Sequence, residues 1–193
     1  TVSGEELFAI KQKQAELLEE HQEALLGPFA EYGPSDCFSC EWKVGYWDKL
    51  TVFSNYDQSK VQTGPLLREA LRHPSGEHLR ELHAGIPESV WAGESDWQDY
   101  IDAIAEAGAP ELRRLHLADD EDNAEISWCH IGDLSALWQA VPELEYLRLR
   151  GVGMDLGDID APRLSTLLIE SGGIPNDAIR AIGRAMIAGK MPD

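Results

Sequence analysis

Pro110-Glu111-Leu112-Arg113-Arg114-Leu115-His116-Leu117 and Pro142-Glu143-Leu144-Glu145-Tyr146-Leu147-Arg148-Leu149 are one frame, Pro-x-Leu-x-x-Leu-x-Leu, written twice. Pro162-Arg163-Leu164-Ser165-Thr166-Leu167-Leu168-Ile169 repeats it, and His78-Leu79-Arg80-Glu81-Leu82-His83-Ala84 is a looser first copy. One such run means little, because leucines at this spacing occur in any helix. Several runs in register are a different matter, since internal repetition outranks other sequence signals. The last residues of each run alternate apolar and other side chains, the period of a strand with one face in a core. Leu112, Leu115, Leu117, Leu144, Leu147, Leu149, Leu164 and Leu167 are therefore expected to be buried.

Helical patterns lie between the runs. They cover Leu66 to Leu71, Trp97 to Ala107, Leu134 to Val141 with Asp133 as N-cap, and Asp177 to Ala188 with Gly189 as stop. Helix, proline, strand and loop recur in that order, which predicts an α/β fold with parallel strands. Counting Leu79, Leu112, Leu144 and Leu164, the runs are spaced by 33, 32 and 20 residues. The short last interval carries Gly151, Gly153, Gly157 and Pro162, so a loop or single turn is expected there.

Upstream, residues 5 to 26 place Leu7, Ile10, Leu17, Leu18 and Leu25 near helical spacing, and Gly27-Pro28 stops the pattern. Phe38 to Phe53 alternates aromatic and β-branched residues with polar ones around Gly45, the signature of a β-hairpin. Ser54 to Thr63 is polar and reads as loop.

The four leucine runs resemble leucine-rich repeats over roughly residues 64–193, without the asparagine of the longer consensus. Glu16-Leu17-Leu18-Glu19-Glu20-His21, Leu25-Leu26-Gly27-Pro28 and Cys40-Glu41-Trp42-Lys43-Val44-Gly45-Tyr46 resemble a bacterial leucine-rich-repeat group. Members of that group open with a helical repeat-companion domain and a hairpin that caps the repeats. The resemblance implies a right-handed solenoid with its parallel sheet on the concave side. It divides the chain into a helix-and-hairpin cap at 1–63 and an irregular solenoid at 64–193. It implies a non-catalytic role in binding a protein partner, with no catalytic residues, metal or cofactor to carry over. Met191-Pro192-Asp193 repeats the pattern of Ala109-Pro110-Glu111 and Val141-Pro142-Glu143, so the solenoid is expected to continue beyond Asp193.

Composition narrows the function. The 16 Lys and Arg against 35 Asp and Glu give a formal charge of −19. That excludes a general nucleic-acid binder, which must replace counterions with basic surface, and an anionic-membrane binder. It favours a basic partner. No apolar run approaches the roughly 20 residues a membrane span needs, and no signal segment opens the chain. Three cysteines, Cys37, Cys40 and Cys129, do not suggest a disulfide framework. A reducing cytoplasm is expected.

Catalytic and metal motifs are weak. Cys37 and Cys40 with Cys129 and His130 have zinc-ligand chemistry, but the pairs lie about 90 residues apart. His73, His78 and His83 recur every five residues, which on a strand sends neighbours to opposite faces. Asp119-Asp120-Glu121-Asp122 lacks the glycine spacing of a calcium loop. No nucleophile elbow, phosphate loop or metal helix is present. Of the six tryptophans, Trp91 and Trp128 fall in loops as candidate exposed anchors.

Strand alternation instead selects a binding face. If the frame leucines face the core, the residues between them face out. These are Glu81 and His83, Arg114 and His116, Tyr146, Arg148 and Arg150, and Thr166, Leu168 and Glu170. Five of the ten are Arg or His, so a locally basic face is expected, with Arg114, Arg148 and Tyr146 as neighbours. Two other classes of function compete. One is an immunity or regulatory protein whose acidity covers the active site of a basic enzyme; the other is a hydrolase with an unrecognised site.

Overall fold

The computed structural model describes residues 3–32, 37–54, 61–92, 96–118 and 125–192. The acidic run Asp119 to Asp122 and most of the polar stretch after Ser54 fall outside them.

Six strands form the main sheet: β1 (Phe38–Lys43), β2 (Tyr46–Val52), β3 (Glu81–Ala84), β4 (Arg114–Leu117), β6 (Tyr146–Arg150) and β8 (Thr166–Glu170). Their order is β1-β2-β3-β4-β6-β8; β1 and β2 are an antiparallel hairpin, and every later neighbour is parallel. Each leucine run becomes one strand, laid beside the last in unbroken register. Leu50, Leu82, Leu115, Leu147 and Leu167 form one inward row; Val52, Ala84, Leu117, Leu149 and Ile169 form the next.

Short turns recur ahead of the strands and hold this register. Leu112, Leu144 and Leu164 N–H groups donate to the carbonyls of Ala109, Val141 and Ala161, each at 3.1 Å. Ala109 N–H then reaches the Ala140 carbonyl at 2.9 Å, and Ala161 N–H reaches that of Lys190 at 2.8 Å, linking successive turns. Seven of the eight frame leucines are buried. Leu167 is only partly buried, because β8 is an edge strand and has no strand beyond it among the described residues.

Helices α3 (Thr63–Arg72), α4 (Gln98–Ala107), α5 (Leu137–Ala140) and α6 (Asn176–Ile187) share the core with the inward rows. Buried aromatic groups tie the helical layer to loop and strand-end carbonyls: Trp97 Nε1 donates to Gly85 at 2.7 Å, Trp138 Nε1 to Leu156 at 2.8 Å, and the Tyr100 hydroxyl to Val52 at the end of β2 at 3.2 Å. A polar tip at the end of an apolar body suits that position.

Several expectations are corrected. The 134–141 helix shrinks to α5, because Asp133 accepts from Ser135 N–H at 2.8 Å and closes a tight turn before the helix begins. The glycine-rich interval is not all loop. Val152–Asp155 forms β7, paired in parallel with β5 (His130–Asp133) in a second, two-stranded sheet. The helix expected over 5–26 breaks at His21 into α1 (Gly4–Glu20) and α2 (Gln22–Leu26), and a 3-10 turn (Gly27–Glu31) follows. A capping box starts α1: Ser3 Oγ accepts from Glu6 N–H, and a Glu6 carboxylate oxygen accepts from Ser3 N–H. Leu7, Phe8, Ile10 and Leu17 nevertheless stay exposed, so the apolar stripe of α1 is not core. Among the described residues no helix is long and apolar enough to cross a membrane.

Candidate functional site

The outward rows of the main sheet collect the residues that the alternation selects. One row runs Lys49, Glu81, Arg114, Tyr146, Thr166; the next runs Thr51, His83, His116, Arg148, Leu168. Arg150 faces Glu170 beyond them. Their common face follows from strand geometry: residues two apart share a face, and parallel register stacks like positions side by side.

Aromatic rings fill much of that spacing. His83 and His116 stack with centroids 4.0 Å apart and planes 12° from parallel. His116 stacks in turn on Tyr146 at 5.0 Å, and the Arg114 guanidinium carbon lies 4.2 Å above the Tyr146 ring. The result is a continuous ladder of imidazole, imidazole, phenol and guanidinium. It also corrects one expectation. His116 does not stand free on the outer face but is buried, 8% exposed, because flanking rings cover both its faces. Arg114 and Arg148 are not register partners either: Arg114 faces Tyr146, and Arg148 faces His116.

Lys49, Arg114, Arg148 and Arg150 share the face with Glu81 and Glu170, so it carries more positive than negative groups, several of them paired. Arg148 is clamped by Glu170, with Nε at 2.8 Å and Nη2 at 2.7 Å from one carboxylate oxygen. Glu81 collects three partners: His83 Nε2 at 2.6 Å, Arg114 Nε at 3.5 Å and Lys49 Nζ at 3.7 Å. Burial works to raise the Glu81 pKa, but the His83 hydrogen bond and the nearby positive groups outweigh it and hold the carboxyl below its ordinary value. Leu168 is 40% exposed and supplies an apolar point at the edge of this face.

The other candidates disperse. His73 stacks on Trp47 at 4.8 Å, and His78 Nδ1 meets Glu111 at 2.7 Å, both away from His83. Cys37 and Cys129 are buried, and burial pushes the Cys40 thiol up to about 11. The cysteines do not gather with His130; among the described residues the one group with metal-ligand spacing is Glu81, His83 and His116. Trp128 is 71% exposed, as its loop position suggests, whereas the Trp91 side chain lies outside what is described.

Neither protein-family models nor the curated proteins match this chain. The crystal structure of a Bacteroides fragilis protein, from the Northeast Structural Genomics Consortium, is similar to it with a TM-score of 0.59 at 24% identity. The match covers 89% of this chain and 47% of that one, so the chain spans about half the length of that protein. Likeness at this identity shows shared fold alone. The strand topology defines the class: a mixed α/β protein built on a mainly parallel sheet.

Proposed function

We propose that this chain is a leucine-rich-repeat-like, right-handed solenoid that acts as a protein-binding module through the outward rows of its sheet, the concave side. The observation that carries the reading is the row register itself. Repeated strands bring Arg114, His116, Tyr146 and Arg148 into one contiguous, part-buried surface with Leu168 at its margin. Tyr and Arg are the residue types that dominate binding hot spots, and here both are held in place before any partner arrives. Preorganisation of this kind lowers the entropy lost on association. The proposed role is non-catalytic.

A second reading is favoured by one observation, the formal charge of −19. An acidic protein suits the inhibition of a basic enzyme, with charge steering the encounter. Affinity capture from the native organism, followed by hydrogen exchange on the purified complex, separates the two. Protection of β3, β4 and β6 supports the sheet face. Protection confined to acidic helical surface, with a partner enzyme losing activity, supports the inhibitor.

A further inference from the structure

We propose that Glu81, His83 and His116 bind a divalent transition-metal ion on the outer face of the sheet. The inference goes beyond partner binding and does not depend on it. Glu81 and His83 are two apart on β3 and so share a face; His116 is the register partner of His83 on β4. One ligand atom from each of the three lies within 4.8 Å of the others. The sequence spacing of histidines conceals this set, because its members meet across strands rather than along one.

The chemistry selects the ion. Two imidazoles and one carboxylate leave at least one coordination position open, a donor set that suits zinc. Imidazole nitrogen also favours copper and nickel, while magnesium and calcium prefer all-oxygen shells. The contact of 2.6 Å between Glu81 Oε1 and His83 Nε2 already holds a proton between an acceptor and a nitrogen. Coordination through Nε2 requires that proton to leave that nitrogen, to Nδ1 of the same ring or to solvent, and the ion then bridges the nitrogen and the carboxylate oxygen.

Two features work against the ion and make the proposal specific. Around a tetrahedral ion with bonds of about 2.1 Å the ligand atoms stand about 3.4 Å apart. The widest separations must therefore contract, and the stacked His116 ring must turn to present a nitrogen. Lys49 and Arg114 also sit 3.7 Å and 3.5 Å from the Glu81 carboxylate and oppose a second positive charge. Removing Lys49 should then tighten binding at Glu81, whereas loss of either histidine separates the built site from an ion held by the carboxylate alone.

The test is calorimetric titration of zinc chloride into chelator-treated full-length protein at about pH 7.5, where free imidazole is mostly neutral. One saturable site is expected. His83→Gln and His116→Gln should each weaken it at least tenfold, Glu81→Gln should weaken it, and Lys49→Gln should tighten it severalfold. Circular dichroism melts check that each variant folds. Because the chain also has three thiols, cobalt(II) spectra identify the donors. Ligand-field bands without thiolate charge transfer are expected. Binding that persists in both folded histidine variants, a thiolate signature, or no saturable binding would overturn the site. If the histidine variants fail to fold, the zinc-induced shift of the His83 and His116 ring resonances in the wild-type protein decides. Unmoved rings at saturating zinc also overturn the site.

Discussion

Val44 occupies the first of two consecutive positive-φ positions in the hairpin turn, with φ 53°, and Gly45 follows at φ 87°. Two such residues between antiparallel strands define the turn whose twist matches a hairpin, and Asn-Gly is its preferred sequence. A β-branched residue there is strained, and Val44 is 90% exposed, so no packing compensates. Val44→Asn should raise stability by about 1 kcal/mol in denaturant melts; a neutral or destabilising result contradicts the turn. His73 gives a pH test. Burial lowers its pKa from 6.5, and its Nδ1 accepts from Ser75 N–H at 3.1 Å, so the fold holds it neutral. The unfolded chain binds that proton more readily. Stability is therefore present above pH 6.5 and falls as pH drops below it toward the depressed folded value. His73→Gln should flatten that part of the stability–pH profile; an unchanged profile means that another group titrates. At this scale the sequence shows which side of a strand a residue occupies. It does not show how neighbours from other strands cover it, which is why His116 reads as exposed and proves buried.

The strands are the most legible elements, because each frame carries its own apolar alternation and its own leading turn. Leu147 sits between Leu115 and Leu167 in the inward row and is fully buried. Leu147→Ala should cost about 2–5 kcal/mol through the cavity it leaves, and a neutral denaturant melt would contradict the register. Strands β5 and β7 are illegible for the opposite reason. His130-Ile131-Gly132-Asp133 and Val152-Gly153-Met154-Asp155 carry glycines that mark loops, and the two strands pair only because the repeats stack them. Helix α1 misleads in another way: its capping box and leucine spacing identify a helix, but periodicity cannot say whether a partner surface exists to bury it. The hairpin covers the ladder edge of β3 through the β2 pairing. Deleting residues 1 to 55 should bare that edge and cause aggregation; a soluble truncation with a cooperative melt would contradict the capping role.

For the whole molecule, repetition makes the architecture readable and leaves the partner unread. Four parallel strands that repeat one frame, β3, β4, β6 and β8, dictate which residues share a face, so the rows through Glu81, His83, Arg114, His116, Tyr146, Arg148 and Leu168 follow from the sequence. Their pairing does not: Arg148 with Glu170 and Arg114 over Tyr146 depend on which strand lies next and how far each side chain reaches. Those contacts pair two of the face's positive groups with acids and leave it modestly net positive. The proposed role places a protein partner on this surface. It is tested by titrating the purified partner against the wild-type protein and the double variant Arg114→Glu, Arg148→Glu, with circular dichroism to confirm the fold. At least tenfold weaker binding by the variant, about 1.4 kcal/mol, is the predicted result; equal affinity of the two folded proteins would contradict it.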